Sequence, residues 1–236
     1  MPVEGFADAV TVVPVGITRA APVVVAVLGI GDTPEEQCAT WKDLVGERAF
    51  VLCPRGLPNW VRPEATETPD DPDKAVEEGA SAGADVVDAA PKQVGFYMPD
   101  LARLESEVFA GVAALEKKWG KYVSTQEIVY AGFSRGAFLG AQLVAKKPER
   151  FKRAILIEGG HSPWTAETAA AFARGGGKRV LFVCGRQECV DDASAATATL
   201  AREKVETRSV FGQEGHGYKK QVKDETRRSL DWVFAP

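Results

Sequence analysis

The chain has 236 residues, of which 45% are hydrophobic and 26% are charged, and its formal net charge is −4. These are values of an ordinary globular protein that is long enough to bury one large α/β core. The weak negative charge gives no indication of nucleic acid as a partner. No apolar run reaches the roughly 18 residues needed to span a membrane. We therefore expect a single domain over residues 1–236, in an oligomeric state that the sequence leaves open.

The four cysteines leave the compartment undecided. No pair has C-x-x-C spacing and the chain has two histidines, so we expect no zinc site. Cys184 and Cys189 bracket one loop, while Cys38 and Cys53 flank a helix and the next strand. Two local disulfides and four buried free thiols both fit this spacing. Residues 1–30 lack the features of a signal peptide. The protein is cytoplasmic if the first residue is the native start, and exported if a signal segment was removed and the cysteines pair.

The first part of the chain predicts alternating strands and helices. Residues 8–17 have the pattern of a strand at a sheet edge, where a proline is tolerated. Residues 22–28 form a continuous apolar run, which is typical of a parallel strand buried on both faces. Residues 33–36 form a capping box with proline at the first helical position, and they predict a helix that runs to about Val45. A further strand is expected at residues 49–53.

Residues 54–99 interrupt this alternation. They contain prolines, glycines and a marked excess of acidic residues, which predicts a long acidic excursion on the surface. Two interpretations stay open for this segment. It is either a solvated loop or part of a rim or lid over an active site.

The alternation returns at Asp100, which we expect to cap a helix that ends at Gly120. A short apolar strand at residues 128–131 then leads into a tight turn and a helix that stops before Pro148. The remaining elements are predicted at residues 153–157, 166–174, 179–183, 192–205, 207–211 and 218–234. Strands that alternate with helices along a whole chain predict the α/β class, with a mostly parallel sheet and helices on both faces.

The turn after this strand contains the strongest functional signal. Residues 132–136 read Gly-Phe-Ser-Arg-Gly and match the pattern G-x-S-x-G of a nucleophile elbow. A serine on a sharp strand-to-helix turn needs neighbours without side chains, which glycine supplies. The following helix directs its positive N-terminal end toward the serine, where negative charge develops during acyl transfer. These features predict that Ser134 is a catalytic nucleophile.

A serine nucleophile needs a base, and His161 and His216 are the two histidines of the chain. Both follow predicted strands, and loops at the carboxyl ends of parallel strands share one rim of a sheet. We favour His216, because Gly215 and Gly217 let its ring reach across to Ser134. The order serine, acid, histidine along the chain also matches a known arrangement of serine hydrolases.

The acid that orients the base is expected in the loop after residues 179–183. Glu188 is the first choice, since it lies between a glycine and the next predicted helix. Asp191 and Asp192 follow it closely, although both would also suit the N-cap of that helix. Glu158, after the preceding strand, is the last alternative.

The oxyanion hole and the substrate pocket complete the predicted site. An oxyanion hole needs two backbone N–H donors, which we assign to Arg135, directly after the nucleophile, and to Ile30, in the loop after residues 22–28. Four further side chains lie at or just after strand ends and are expected to line the pocket: Phe133, Trp164, His161 and Trp60. The two tryptophans would equally suit the packing of loops against the core.

These residues resemble those of the α/β-hydrolase superfamily, in particular small serine esterases of the dienelactone-hydrolase and phospholipase/carboxylesterase type. The resemblance rests on residues 132–137, on residues 215–217 and on the oxyanion loop at residues 28–32. Relatives usually carry His-Gly where this chain has Leu28-Gly29, and aspartate at the position assigned to Glu188. The resemblance implies a single α/β-hydrolase domain and no metal or organic cofactor.

Three functions are compatible with this resemblance. The first is a carboxylesterase that cleaves a small-molecule ester through an acyl-serine intermediate, with the activated serine attacking the ester carbonyl. The second is a serine peptidase or amidase that uses the same residues. The third is a binding protein that has kept the fold and lost the chemistry.

Overall fold

A computed structural model describes residues 1–61 and 90–235 of the protein. Its centre is a seven-stranded sheet. In order across the sheet, the strands are β1 (Val10–Val12), β3 (Phe50–Cys53), β2 (Ala21–Val27), β6 (Val123–Phe133), β7 (Phe151–Ile157), β8 (Arg179–Cys184) and β9 (Glu206–Phe211). All neighbours are parallel except β1 and β3, which are antiparallel. The predicted α/β class and mostly parallel sheet are thus confirmed.

Six helices of the described chain cover both faces of this sheet. They are α1 (Pro34–Val45), α2 (Leu101–Trp119), α3 (Arg135–Lys146), α4 (Ala166–Arg174), α5 (Gln187–Arg202) and α6 (Gln221–Phe234). Apolar residues of α1 and α6 pack on one face, whereas those of α2 to α5 pack on the other. Strand β2 explains why both faces are covered. Val23 and Val25 belong to one core cluster, Val24 and Ala26 belong to the other, and all four are fully buried.

Two helix starts agree with their sequence signals. Helix α1 begins at Pro34, where the hydroxyl of Thr33 accepts a hydrogen bond from the backbone N–H of Glu36 at 3.2 Å. Helix α2 follows Asp100, whose carboxylate accepts from the backbone N–H of Arg103 at 2.8 Å. In both cases a local side chain satisfies a backbone donor that the helix itself leaves free.

The segment at residues 54–99 contains more order at its ends than predicted. Strands β4 (Leu57–Val61) and β5 (Lys92–Tyr97) form an antiparallel pair, so the interpretation of the whole segment as a loop is wrong. The alternating exposure along β4 shows why its pattern was missed, since neither face is fully buried. Residues 62–89, with the proposed rim or lid, lie outside the described residues.

The start of α5 also differs from the prediction. The helix begins at Gln187 and not at residue 192, so that Asp191 and Asp192 lie inside it and do not cap it. A disulfide lies at this point and joins Cys184, at the end of β8, to Cys189 in the first turn of α5, which is only 3% exposed. This bond draws the chain back against the sheet directly after the strand.

All four cysteines are paired. The second disulfide joins Cys38 of α1 to Cys53 of β3, with Cα atoms 5.8 Å apart. The alternative of four free thiols is therefore wrong, and paired cysteines are typical of proteins in oxidising compartments. Within the described ranges, no helix has the length and apolar character required to cross a membrane.

Candidate active site

Ser134 occupies a strained turn between β6 and α3. Its backbone has φ 51° and ψ −116°, in a region that residues with a side chain rarely adopt. The two glycines of the motif are needed for steric reasons. A Cβ atom on Gly132 would lie 2.5 Å from the carbonyl oxygen of Gly136, and one on Gly136 would lie 2.5 Å from that of Val27. The sharp turn can therefore form only if both positions lack a side chain.

Ser134 is hydrogen-bonded to His216, and His216 to Glu158. The Oγ atom of Ser134 lies 3.0 Å from Nε2 of His216. On the other side of the ring, Nδ1 lies 3.0 Å from Oε2 of Glu158. A carboxylate can only accept, so Nδ1 carries the proton and Nε2 is free to accept from the serine hydroxyl. This is the geometry of a nucleophile, a general base and an orienting acid.

The carboxylate on His216 is Glu158, which the sequence ranking placed last. Glu188, ranked first, lies exposed in the first turn of α5 and makes no contact of this kind in the described structure. Asp191 accepts a hydrogen bond from Gln187, and Asp192 lies 3.6 Å from His161. The ranking failed because it assumed a loop where α5 begins.

Glu158 did have a recognisable sequence signal. It follows the buried strand β7 directly and precedes Gly159 and Gly160, so the chain can turn sharply there. Its backbone has φ 52°, as strained as that of Ser134. A Cβ atom on Gly159 would lie 2.9 Å from the carbonyl oxygen of Ser134. These two glycines therefore let the acid loop pack closely against the nucleophile turn.

Glu158 is fully buried and surrounded by donors. Its Oε1 accepts hydrogen bonds from the backbone N–H groups of Gly185 and, at 3.2 Å, of Arg186. Its Oε2 accepts from the guanidinium of Arg186 at 2.8 Å as well as from His216. Burial raises the pKa of Glu158, but the hydrogen bonds from His216, Gly185 and Arg186 outweigh burial and lower this pKa to about 2. Glu158 is therefore a carboxylate at neutral pH.

The loop of His216 is held at several points. The backbone N–H groups of Glu214 and Gly215 donate to the carbonyl oxygen of Gly185 at 3.2 Å and 3.0 Å. The ring of Phe133 packs against His216, with centroids 5.1 Å apart, and also against Tyr218. Phe133 was predicted to line the substrate pocket. It is 7% exposed and instead packs behind the imidazole.

The loop at residues 29–32 carries the predicted oxyanion donor Ile30. Asp32 accepts from the N–H of Gly29 at 3.1 Å, and Phe96 of β5 bonds to the backbone of Gly31 and Asp32 at 2.9 Å and 2.8 Å. Burial raises the pKa of Asp32, against the hydrogen bond from Gly29. The antiparallel pair β4–β5 thus fixes this loop through Phe96, a role that the sequence did not indicate.

Ile30 and Arg135 both line a cavity beside Ser134. Among the described residues, the backbone N–H of neither makes a hydrogen bond outside the regular elements. The guanidinium of Arg135 donates to the carbonyl oxygens of Met98 and Pro99. Its side chain is thus anchored, while its N–H at the first position of α3 stays available for an anion.

The cavity in front of Ser134 has a volume of about 390 Å³. Its other lining residues are Phe138, Glu158, Gly159, Gly160, His161, Ser162 and Asp192. Of the predicted pocket residues, His161 is in this wall. Trp164 lines an adjoining cavity of about 260 Å³ that also includes His161. Trp60 is 60% exposed on β4 and lines neither cavity.

Phe138 is the pocket residue that the sequence interpretation missed. It lies one turn into α3 and is 42% exposed, although most apolar residues of that helix are buried. An aromatic residue on the polar side of an otherwise regular amphipathic helix was a signal that could have identified it. Together with Ile30, which is 58% exposed, it gives the entrance an apolar side.

His161, the alternative base, lies apart from Ser134 in the hydrogen-bond network. Burial lowers its pKa, against the charges of Asp192 and Glu158. Its Nε2 is buried and has no partner among the described residues. Among the described residues, one cluster has the spacing of metal ligands, and it consists of His161, Cys184 and Cys189. Because the two sulfurs are joined in a disulfide, they offer no thiolate, and the cluster does not fit a metal in this state.

Comparisons by sequence found no relative, since no family model and no curated protein matches the chain. Solved structures do match its fold. The carboxylesterase of Bacillus cereus aligns at 16% identity and a TM-score of 0.61, over 98% of this chain and 96% of that one. A thermostable esterase aligns at 15% identity and a TM-score of 0.56, over 96% of this chain. The chain spans only 58% of that esterase.

A peptidase is also among the similar structures. An acylaminoacyl peptidase aligns at 12% identity and a TM-score of 0.57, over 96% of this chain and 38% of that one. The chain therefore has the fold of the α/β-hydrolase superfamily, which confirms the resemblance seen in its sequence.

Proposed function

We propose that the protein is a serine hydrolase that cleaves carboxylic esters of small molecules through an acyl-serine intermediate. The observation that carries this proposal is the continuous hydrogen-bonded series of Ser134, His216 and Glu158, with 3.0 Å at each step. The fold alone would not suffice, because one fold hosts many functions. The similarity to esterases supports the same class of reaction.

In the first half of the reaction, Ser134 Oγ attacks the ester carbonyl and His216 Nε2 takes its proton. Glu158 holds Nδ1–H of the ring and stabilises the imidazolium that forms. The negative oxygen of the tetrahedral intermediate is bound by the backbone N–H groups of Ile30 and Arg135. His216 then returns the proton to the departing alcohol, which leaves the acyl group on Ser134.

In the second half, a water molecule replaces the alcohol. His216 takes a proton from the water as its oxygen attacks the acyl carbonyl, and the same N–H groups bind the new oxyanion. Collapse of this intermediate returns the proton to Ser134 and releases the carboxylic acid. The cycle needs only groups of this chain and water.

A peptidase or amidase on the same residues is the second candidate, because an acylaminoacyl peptidase shares the fold. The two candidates differ in the leaving group that they accept. A panel of p-nitrophenyl esters of increasing acyl length, set against aminoacyl p-nitroanilides, separates them. We expect turnover of the esters and none of the anilides above the level of Ser134→Ala, whereas anilide turnover that is lost in Ser134→Ala would favour the peptidase.

The intermediate itself can be trapped. Mixing the protein with a p-nitrophenyl ester, followed by an acid quench, should give one acyl adduct in the intact mass, on the peptide that contains Ser134. A burst of p-nitrophenol with one equivalent per chain is the matching kinetic sign. An acyl adduct on another peptide and none on this one, or ester turnover that persists in Ser134→Ala, would contradict the acyl-serine mechanism.

A further inference from the structure

The Cys184–Cys189 disulfide brackets the segment whose backbone N–H groups donate to the carboxylate of Glu158. It closes a short ring between the end of β8 and the first turn of α5. Both backbone N–H groups that donate to Glu158, those of Gly185 and Arg186, lie inside this ring. The guanidinium that donates to Oε2 of Glu158 also belongs to Arg186. Three of the four hydrogen bonds to the acid thus come from one segment.

The same segment contacts the loop of the base. The carbonyl oxygen of Gly185 accepts the N–H groups of Glu214 and Gly215, directly before His216. A Cβ atom on Gly185 would lie 2.1 Å from the carbonyl oxygen of Gly215, so the two loops are in close contact. Any shift of Gly185 would therefore change the positions of the acid and the base together.

The other restraints on this segment are noncovalent. Arg186 is the N-cap of α5 but makes no side-chain capping bond, and its side chain is 47% exposed. The next residues, Gln187 and Glu188, are exposed. In contrast, the two sulfur-bearing residues are buried, at 0% and 3% exposure. The disulfide is thus a covalent restraint at the N-terminus of α5. That terminus has no side-chain cap, and its residue Arg186 donates hydrogen bonds to the buried carboxylate of Glu158.

We propose that the Cys184–Cys189 disulfide is a positioning element of the catalytic triad, which keeps Gly185 and Arg186 on Glu158 and so keeps His216 in register with Ser134. This inference rests on the proposed function only in the expectation that losing the disulfide lowers the rate of ester hydrolysis. The Cys38–Cys53 disulfide joins α1 to β3, and within the described residues no hydrogen bond links either cysteine to Ser134, His216, Glu158, Gly185 or Arg186, so it gives a matched control.

The kinetic test compares two double variants, Cys184→Ser/Cys189→Ser and Cys38→Ser/Cys53→Ser, each made with and without Glu158→Ala. Loss of the first disulfide should lower kcat for a p-nitrophenyl ester about 10-fold with little change in KM, since small displacements of catalytic groups are costly. In the Glu158→Ala background the same loss should have an effect below about two-fold, because no carboxylate is left to position.

A purely stabilising disulfide would behave differently. Its removal would lower kcat by the same factor with and without the Glu158 carboxylate, or would leave kcat unchanged, and either result overturns the proposal. The control variant should keep kcat within about two-fold in both backgrounds. Equal losses for both disulfides would also overturn the proposal. All assays are run well below the unfolding temperature of each variant, so that lost stability does not enter kcat.

A third test reduces and then restores the disulfide in the Cys38→Ser/Cys53→Ser variant, where Cys184–Cys189 is the disulfide that remains. Dithiothreitol reduces it by two electrons and two protons, giving two thiols and oxidised dithiothreitol. Activity should fall to the level of the variant that lacks Cys184 and Cys189, and should return when an oxidised dithiol restores the bond. Full activity in protein that titrates two free thiols would contradict the proposal.

A spectroscopic arm does not depend on turnover. The proton between His216 Nδ1 and Glu158 should give a low-field ¹H resonance, assigned by its loss in His216→Gln. We expect it in the wild type and in the Cys38/Cys53 control, and shifted or lost without Cys184 and Cys189. An unchanged resonance, or none in the wild type, overturns the inference. A resonance that responds to this disulfide in a protein without esterase activity would refute the proposed function and leave the positioning role intact.

Discussion

Replacing Glu158 by glutamine is the most informative change at the triad, because it keeps the shape of the side chain and reverses one of its contacts. In the native protein Oε1 faces the N–H groups of Gly185 and Arg186, and Oε2 faces the Arg186 guanidinium and His216. The amide oxygen of glutamine can replace Oε1. Its NH₂ group must then replace Oε2, where it meets two donors.

This mismatch changes which nitrogen of the His216 imidazole carries the proton. His216 can avoid two opposed donors by moving its proton from Nδ1 to Nε2, so that Nδ1 accepts from the glutamine NH₂. The nitrogen that faces Ser134 Oγ at 3.0 Å then carries a hydrogen and cannot take the serine proton. Loss of the correct tautomer typically lowers kcat about 10³- to 10⁴-fold. This corresponds to about 4 to 5 kcal/mol of transition-state stabilisation.

The matched control is Glu188→Gln, the same chemical change at the carboxylate that the sequence ranked first. Glu188 is exposed in the first turn of α5 and should change kcat by less than about two-fold. The assay is kcat for a p-nitrophenyl ester, with circular dichroism to verify that both variants are folded. If Glu158→Gln keeps more than a tenth of the native kcat, or Glu188→Gln loses as much as Glu158→Gln, the assignment of the acid is refuted.

Three further predictions concern stability and specificity. Gly136→Ala should lower the free energy of unfolding, measured in urea, by about 2 kcal/mol or more, because the new Cβ would lie 2.5 Å from the Val27 carbonyl oxygen. The control is Gly217→Ala, whose Cβ would meet nothing closer than 3.4 Å and should change this free energy little. The pKa of Glu158 is lowered from 4.5 to about 2, so its contribution to stability is present above pH 4.5 and is lost as the pH falls toward 2. For this buried group the loss is on the order of 3 kcal/mol, measured by urea unfolding against Glu158→Gln. Phe138→Ser should lower kcat/KM for long-chain esters about 10-fold while acetate esters change little, because Phe138 forms an apolar side of the cavity.

Each of these has a result that would contradict it. Equal unfolding free energies for the two glycine variants would mean that α3 and β2 can move apart without cost. A native protein whose stability from pH 5 to pH 2 parallels that of Glu158→Gln would show that the carboxylate is not held as described. A uniform loss across all acyl lengths would place Phe138 in structural support and not in substrate binding.

The elements that the sequence predicted well are those whose signals are local. The run at residues 22–28 is apolar on both faces, which leaves a buried parallel strand as the simplest structure. Thr33 and Asp100 hold helix starts through contacts three residues away. The elbow at Ser134 also has a local signal, because its five-residue motif carries both glycines that the tight turn requires.

The features that were missed depend on contacts between distant segments. The carboxylate on His216 was misassigned because a loop was expected where α5 begins, at Gln187, beside the disulfide between Cys184 and Cys189. From sequence alone, disulfides and free thiols could not be separated. The antiparallel pair β4–β5 is exposed along much of its length, and Phe96 of β5 forms hydrogen bonds with the backbone of the loop at residues 29–32. Such a contact leaves no periodic pattern in either segment.

The proposed function depends above all on Ser134 being an activated nucleophile. The most direct measurement is the intact mass after incubation with a fluorophosphonate probe, for the wild type, Ser134→Ala and His216→Gln. We predict one adduct on the wild type, none on Ser134→Ala, and labelling slowed at least about 10²-fold in His216→Gln, since the serine then lacks its base. A folded wild-type protein that stays unlabelled, or a Ser134→Ala variant that labels as fast as the wild type, would contradict the account.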